Sequence, residues 1–312
     1  MTMGEHLNEL QRLPPSLQKR AVRTFLREQR EEANITQKNI AEKVKWSLSK
    51  LIRIETGVVP VSPDDVRMLL REYGTSQSQC DAIIEIADDA RQHDVFADYR
   101  KHIDADAMHA VLDYEYAAKS IRAFEPFLVP GLLQTREYAL ALLKDRQASD
   151  EKAMQIWGIR DARQREFWKK ENSTDINIII HEAALYFRVG EDETMMKQIS
   201  KLRDFAVTYS TRVILQILPF DLGVPKGMHR GFTMFNTRNP YLDDLVYIED
   251  SREMMIHFQE KPRQFDEYEN TFWKLWDLAN SRLEDGSQTR DHFIEHLERI
   301  NRQRFGRAIL AD

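Results

Sequence analysis

The strongest constraint on the fold of this chain is a pair of short helical patterns that stand close together near residue 45. Thr36 can cap the first helix and Ser47 can cap the second, SLSKLIRIE, because both hydroxyl side chains directly precede residues with helical apolar spacing. Lys45 and Trp46 form the break between them. A longer helix, predicted over Ser16–Ala33 with Ser16 as its cap, comes before the pair. The segment therefore predicts a small helical domain built around a tight turn.

The second short helix has one buried side and one outward side. At ~100° per residue, Leu51 and Ile54 define the buried direction, whereas Ser49 and Arg53 point away from it. A recognition helix in the major groove reads base edges with such exposed side chains, and nearby Lys, Arg and amide groups hold phosphates. Arg53 suits bidentate bonding to guanine. The predicted DNA-binding residues are Gln37, Lys38, Lys45, Trp46, Ser47, Leu48, Ser49, Lys50 and Arg53.

Charge is unevenly distributed along the sequence. The whole chain is slightly acidic, with 45 Lys and Arg residues against 51 Asp and Glu. Residues 12–53 hold 11 basic residues against four acidic ones. Such a local excess can meet phosphates while the acidic remainder discourages indiscriminate binding. Two plainer alternatives stay open: a solvated helical surface accounts for the charge, and a helical bundle that binds no DNA accounts for the apolar spacing. The bundle alternative does not explain the outward face of Ser49 and Arg53 with lysines beside it.

Residues 35–74, ITQKNIAEKVKWSLSKLIRIETGVVPVSPDDVRMLLREYG, resemble the XRE-type (lambda-repressor-like) helix-turn-helix domain of bacterial regulators. The resemblance rests on the Thr-Gln pair, the central Ala of the first short helix, the Ser-x-Ser-Lys segment and the closing Arg-Ile-Glu-x-Gly. It implies a structural ion pair between Arg30 and Glu55. Two positions depart from the family pattern: Lys45 replaces the usual turn glycine, and Leu48 stands where a polar base reader is common. Both departures concern the target sequence rather than DNA binding itself.

Further along the chain, strand and helix signals alternate. Runs rich in β-branched residues predict strands in INIIIHEAALYFRV and TRVILQILPF, with a helix over Glu193–Val207 between them, and GFTMFN and LVYIED predict shorter strands. Helices are predicted over Lys261–Leu283 and Ser287–Arg304. The predicted fold is a mostly α domain over residues 1–92 followed by an α+β domain over residues 93–312, helix-rich overall.

The string FEPFLVPGLLQTREYA, followed by EAALYFRVG and ILPFDLGVPKGMHRGFTMF, resembles the C-terminal domain of actinobacterial XRE-type regulators of the WhiJ-like, antitoxin-like group. The resemblance covers most of Asp113–Leu283. That domain has no settled biochemical activity, and such regulators commonly occur beside genes for small partner proteins. The resemblance implies a module that senses a small-molecule ligand or docks a small partner protein.

Patterns for catalysis and metal binding are sparse in this sequence. His181-Glu182 lacks the second histidine of His-Glu-x-x-His, and Cys80 has no second thiol. Neither a glycine-rich phosphate loop nor a Gly-x-Ser-x-Gly elbow occurs. We therefore expect no enzyme activity, no cofactor and no metal. The acidic strand LDDLVYIED, Leu242–Asp250, is a candidate for contact with a basic partner or with the basic N-terminal head.

The sequence as a whole predicts a cytoplasmic transcription regulator that binds double-stranded operator DNA and joins the nucleoid when bound. A homodimer is expected, because one small reading head makes few base contacts and two heads engage half-sites about one DNA turn apart. The alternative is an antitoxin-like protein that neutralises a small partner and autoregulates through the same head. No membrane partner is expected, because every apolar run falls short of the ~20 residues that a membrane span needs.

Overall fold

α-Helices are the only regular elements that the structure describes in the first 117 residues. The computed structural model describes residues 3–90, 106–145, 149–169, 174–228, 230–249, 254–258, 262–281 and 289–306. The helices of this region are α1 (Met3–Leu10), α2 (Pro15–Glu32), α3 (Gln37–Lys43), α4 (Leu48–Glu55), α5 (Pro63–Tyr73), α6 (Gln77–Asp89) and α7 (Asp106–Ala117).

Two compact units divide the chain, and each is made of two separate stretches of sequence. The first unit consists of residues 1–117 and 237–243, and the second consists of residues 118–236 and 244–312. We call them the helical unit and the sheet unit. The predicted domain boundary after residue 92 lies outside the described residues and stays a prediction.

The core of the helical unit forms around α2, which packs against α4, α5 and α6. Phe25 of α2 and Leu51 of α4 are completely buried. The helix begins at Pro15, where the fixed φ and missing N–H of proline suit a first turn, so the prediction of Ser16 as its cap is wrong. The Ser16 hydroxyl instead donates a hydrogen bond to the Asp113 carboxylate of α7.

A six-stranded mixed sheet organises the sheet unit, in the order β3-β2-β1-β4-β5-β6. Strand β1 pairs in parallel with β2, and β2 pairs in parallel with β3, whereas the β1–β4, β4–β5 and β5–β6 pairs are antiparallel. The strands are β1 (Ser120–Glu125), β2 (Asp175–His181), β3 (Val213–Leu218), β4 (Phe232–Asn236), β5 (Leu245–Glu249) and β6 (Met254–Phe258). The helices are α8 (Arg136–Asp145), α9 (Asp150–Lys169), α10 (Glu182–Tyr186), α11 (Asp192–Thr208), α12 (Pro262–Asn280) and α13 (Thr289–Phe305).

Helix α12 and the sheet share one hydrophobic core, in which Phe124 of β1, Ile179 of β2 and Phe272 of α12 are completely buried. The predicted helix-rich α+β fold is confirmed. Strands β1 and β6 were missed. The sequence of β1, SIRAFE, is short and carries Arg122 at its centre, and the strand forms because neighbours on both sides pair with it.

Candidate nucleic-acid interface

Side-chain caps fix where α3 and α4 begin. The Thr36 hydroxyl oxygen accepts a hydrogen bond from the amide of Asn39 at 3.1 Å, and the Ser47 hydroxyl oxygen accepts one from the amide of Lys50 at 3.1 Å. Both residues have extended backbones, as N-caps require. Each cap satisfies an amide that has no partner within its own helix. The two predicted caps are therefore confirmed, and they set the start of two helices of seven and eight residues.

The turn between α3 and α4 passes through Lys45 in a left-handed conformation, with φ of 57°. The next amide, of Trp46, donates to the carbonyl of Ala41 at 2.8 Å and closes the turn. Glycine adopts this conformation without steric cost, whereas another residue loses roughly 1–2 kcal/mol. The lysine thus follows the path that a turn glycine would follow, and it adds an exposed cation beside α4.

Helix α4 has the two faces that its sequence predicts. Leu51 is 0% exposed and Ile54 is 1% exposed, so the inner side of the helix is dry. On the outer side Ser49 and Arg53 are exposed, and Leu48 at the first turn is 42% exposed. An exposed leucine beside a serine and an arginine provides apolar, neutral polar and cationic groups on one helix. Their contact with bases stays a prediction.

Lys50 is held by two groups from its own unit. Its Nζ lies 3.6 Å from the centroid of the Trp46 ring and 3.5 Å from the Asp65 carboxylate of α5. Both the ring face and the carboxylate attract an ammonium group. Trp46, which the sequence assigned to DNA contact, therefore serves at least to support this lysine, while Lys38 on α3 is exposed.

Glu55 at the end of α4 anchors that helix to α2 and α3. Arg30 donates from Nε to one Glu55 oxygen at 2.7 Å and from Nη2 to the other at 3.0 Å, and its Nη1 donates to the carbonyl of Ile35 at 3.0 Å. The structure thus brings together the pair that the family resemblance implies. The hydrogen bonds that Arg30 donates to Glu55 raise the pKa of Arg30 above its ordinary value. Gln37 also donates to Glu55, at 2.8 Å, so this predicted phosphate contact belongs to the same cluster.

Arg23 was missed as a residue of this region. Its Nη1 donates to the carbonyl of Thr56 at 3.3 Å, directly after the last residue of α4. Gly57 follows with φ of 81°, and a Cβ there would lie 1.0 Å from Arg23 Nη1. Because Gly57 has no Cβ, the guanidinium of Arg23 has room to lie at the end of α4. The Thr-Gly pair was the available signal, because a glycine after a helix leaves terminal carbonyls that a cation can bind.

One acidic group of the predicted Leu242–Asp250 strand does contact the basic helical unit. Asp243 lies in the helical unit and accepts hydrogen bonds from Nη2 and Nε of Arg20, at 2.6 and 3.2 Å. The neighbouring Asp244 instead accepts from Asn236 at 2.7 Å within the sheet unit. Asp250 lies outside the described residues.

The sheet unit holds a buried polar cluster at the end of β2. Glu182 accepts from the amide of Phe220 at 2.8 Å and lies 3.1 Å from Nε2 of His296. His181 accepts from the amide of Ala183 at 3.1 Å through Nδ1 and so caps the start of α10. Burial is the main cause that lowers the pKa of both histidines. Among the described residues, no group of three or more His, Cys, Asp or Glu side chains is arranged to hold a metal ion.

Comparison with known families gives two matches. A model described as a helix-turn-helix domain matches residues 21–83, which contain α3, the turn and α4. A model described as a domain of unknown function, DUF5753, matches residues 108–287, more than half of the chain. The chain belongs to the DUF5753 family. Searches of curated proteins and of solved structures found no match for this DUF5753 protein. In the described parts of the DUF5753 protein, no helix is both long and apolar enough to cross a membrane.

The PGLLQT stretch of the DUF5753 region, residues 130–135, has a structural role in this chain. Residues 129–135 form a turn whose backbone is bound by three buried glutamines: Gln134 donates to the carbonyl of Val129, Gln164 to that of Gly131 and Gln198 to that of Leu133, at 2.7–2.8 Å. Lys201 donates to the carbonyl of Gln134 at 2.8 Å, and burial lowers the pKa of this lysine. The three glutamine amides and the lysine thus donate to backbone carbonyls that accept no hydrogen bond within an α-helix or strand.

Proposed function

We propose that this DUF5753 protein is a sequence-specific transcription regulator that binds operator DNA through its helix-turn-helix domain. The observation that carries the proposal is the outer face of α4, where Ser49 and Arg53 are exposed on a helix whose opposite side is buried. Such a helix can enter a major groove without unfolding any part of its own core.

The exposed groups divide into base readers and phosphate binders. Arg53 reads a guanine through two parallel hydrogen bonds, Ser49 bonds to a neighbouring base, and Leu48 packs on a thymine methyl group. Lys38 and Lys45, both exposed, bind phosphates and supply affinity without sequence preference. In this proposal Lys50 approaches the backbone from the position that Trp46 and Asp65 give it.

Full specificity requires two copies of this reading head. We propose a homodimer on a two-part operator, in the cytoplasm and associated with the nucleoid when bound, because the few side chains of one α4 discriminate only a short half-site. The DUF5753 domain then receives a signal from a ligand or a protein. Hydrogen bonds from three buried glutamines hold the PGLLQT turn in one conformation. The DUF5753 domain therefore has a fixed surface at which a ligand or a protein can bind.

Selection of bound duplexes from random DNA, with the full-length chain, tests the proposal. The expected result is one enriched motif that contains two related half-sites with centres about 10 base pairs apart. Recovered pools without any enriched motif, at salt concentrations where the protein still binds DNA, would contradict sequence-specific regulation.

A pair of variants links the motif to α4. The double variant Ser49→Ala, Arg53→Ala removes both exposed polar readers and is expected to abolish enrichment. The matched control is Arg71→Ala, which removes an exposed arginine from the last turn of α5 and is expected to leave the motif unchanged. Equal loss in both variants would mean that charge, rather than the α4 face, governs selection.

A further inference from the structure

A short segment from the second half of the sequence is part of the helical unit. Residues 237–243 connect β4 to β5, both of which belong to the sheet unit, yet the segment itself belongs with residues 1–117. We call it the docked segment. Thr237, Asn239, Tyr241 and Leu242 are each less than 9% exposed, so the segment is packed rather than laid on a surface.

The apolar part of the docked segment completes the core around α2. The ring of Tyr241 meets that of Phe25 edge to face, with centroids 5.2 Å apart, and Phe25 is completely buried. Without the segment, this face of Phe25 loses its aromatic partner. Asn239 adds a hydrogen bond to the carbonyl of His6 in α1, at 3.3 Å.

The segment keeps its own shape through internal hydrogen bonds. The amide of Asn239 donates to the Thr237 hydroxyl at 3.3 Å, and the side-chain oxygen of Asn239 accepts from the amide of Tyr241 at 3.1 Å. Turns of this kind present the following residues in one orientation. The segment therefore holds Tyr241 and Asp243 in fixed positions, so that the aromatic ring and the carboxylate meet their partners on α2 together.

The charged part of the docked segment lies close to the arginine that binds the end of α4. Asp243 binds Arg20 through two nitrogens, and Arg23 lies one turn further along α2. Burial and the neighbouring Arg20 lower the pKa of Arg23, whereas Asp243 acts in the opposite direction, so the carboxylate balances two adjacent cations. Arg23 in turn donates to the carbonyl of Thr56. Through its charge Asp243 thus also acts on Arg23, the residue that binds the C-terminal end of α4.

We propose that the docked segment is a built-in ligand of the DNA-reading unit, which when docked holds α2, and through Arg23 the end of α4, in the arrangement that reads DNA. The DNA part of this proposal rests on the proposed function. Because the segment is continuous with β4 and β5, a rearrangement of those strands alters how residues 237–243 are presented to α2. Release of the segment takes the Asp243 carboxylate away from Arg20 and loosens α4, and sequence-specific binding weakens.

The test compares Asp243→Asn with Asp244→Asn in the full-length protein. Both variants remove one carboxylate charge at adjacent positions, but Asp243 binds Arg20 of α2, whereas Asp244 binds Asn236. Hydrogen exchange resolved by peptide reports on α2 and α4 without DNA, and binding to the selected duplex reports on function. Asp243→Asn is expected to speed exchange in both helices by about tenfold and to weaken specific binding by a similar factor, whereas Asp244→Asn leaves both unchanged.

Reversal of the charges guards against a variant that simply folds poorly. Arg20→Asp alone places two carboxylates together and is expected to release the segment, and addition of Asp243→Arg restores the pair in the opposite sense. Recovery of slow exchange and of specific binding in the double variant supports the proposal. Exchange that rises only within residues 237–243, or tighter specific binding on release, overturns it.

The two proposals fail in different ways. If the wild-type chain shows no sequence preference, the proposed function fails, and the exchange of α2 and α4 still decides whether the segment holds them. If the wild-type chain selects a motif and Asp243→Asn changes neither exchange nor affinity, the docked segment is passive and the proposed function stands.

Discussion

Glu55 in the helical unit and Glu182 in the sheet unit are both nearly buried, with 4% and 9% of their side chains exposed, but different partners hold them. Arg30 donates hydrogen bonds to Glu55 from two nitrogens and stays charged at every physiological pH. Glu182 is bound by a backbone amide and by His296, while Nη2 of Arg299 lies 3.9 Å away.

The difference separates a fixed anchor from one that responds to pH. The Arg30–Glu55 pair joins α2 to the end of α4, so a permanent charge pair holds α4 in place. The Glu182–His296 pair depends on a ring that gains a proton in mildly acidic solution. The helical unit is thus built to present one surface constantly, whereas the sheet unit contains a group that can change state.

Removal of the arginine should give the largest effect. Arg30→Met leaves Glu55 buried with Gln37 as its one remaining side-chain donor among the described residues, and we expect the free energy of unfolding of the helical unit to fall by about 3 kcal/mol. Urea denaturation followed by circular dichroism measures the loss. The control is Arg67→Met, which removes an exposed pair with Asp64 and should cost less than about 1 kcal/mol. Equal losses of stability in the two variants would show that the buried Arg30–Glu55 pair stabilises the fold no more than the exposed Arg67–Asp64 pair does.

Acidification should destabilise the sheet unit. Burial lowers the pKa of His181 and His296 in the fold, whereas the unfolded chain takes up protons near pH 6.5. Stability is therefore complete above about pH 6.5 and is lost as the pH falls toward the lowered values, at up to about 1.4 kcal/mol per pH unit for each proton. Hydrogen exchange of β2 and α13 peptides between pH 7.5 and 5.5, corrected for the intrinsic rate, measures the slope.

The same experiment, extended below the ordinary glutamate pKa of about 4.3, should give the opposite sign in the helical unit. Burial, followed by the nearby Glu32, raises the pKa of Glu28 in α2. A raised acid pKa stabilises the fold at low pH, and that stability is lost as the pH rises through the folded value.

Two histidine variants test the source of the slope in the sheet unit. His296→Gln should flatten that slope, whereas His292→Gln, one turn earlier and only half-buried, should leave most of it. Parallel slopes in the two units would remove the contrast.

The smallest effect concerns the N-cap of α4. Ser47→Ala removes the acceptor for the Lys50 amide and should lower the free energy of unfolding by about 1 kcal/mol. Ser49→Ala, two residues later on the exposed face, removes a similar hydroxyl without removing a cap and should be within about 0.5 kcal/mol of the wild type. Denaturant midpoints for the three proteins give the comparison, and a larger loss in Ser49→Ala would show that the exposed face carries stability.

Local signals predicted the structure of α3 and α4 well. Thr36 and Ser47 were found as caps because a cap needs only residues within three positions of itself. Lys45 was noticed as a departure from the family pattern, and its positive φ shows what the usual glycine supplies. The burial of Leu51 and Ile54 followed from helical spacing alone.

Contacts between distant positions escaped prediction. β1 is a strand because β2 and β4 pair with it, and no local alternation marks it. The contact of Asp243 with Arg20 spans 223 positions, and only the acidity of the surrounding strand suggested it. Gln37 was assigned to a phosphate, but the burial of Glu55 gives its amide a partner within the fold. Where chemistry depends on a neighbour far along the chain, sequence spacing gives residue types without their geometry.

The affinity of Arg53→Ala for the selected duplex, and for variants of it changed one base pair at a time, tests the central claim most directly. We predict a loss of about 1–3 kcal/mol on the selected duplex and lost discrimination at one base pair of each half-site. Lys38→Ala, the control on α3, should weaken all duplexes alike and reduce the salt dependence by about one counterion. An Arg53→Ala protein that discriminates every base pair as the wild type does would contradict the assignment of α4 as the reading helix.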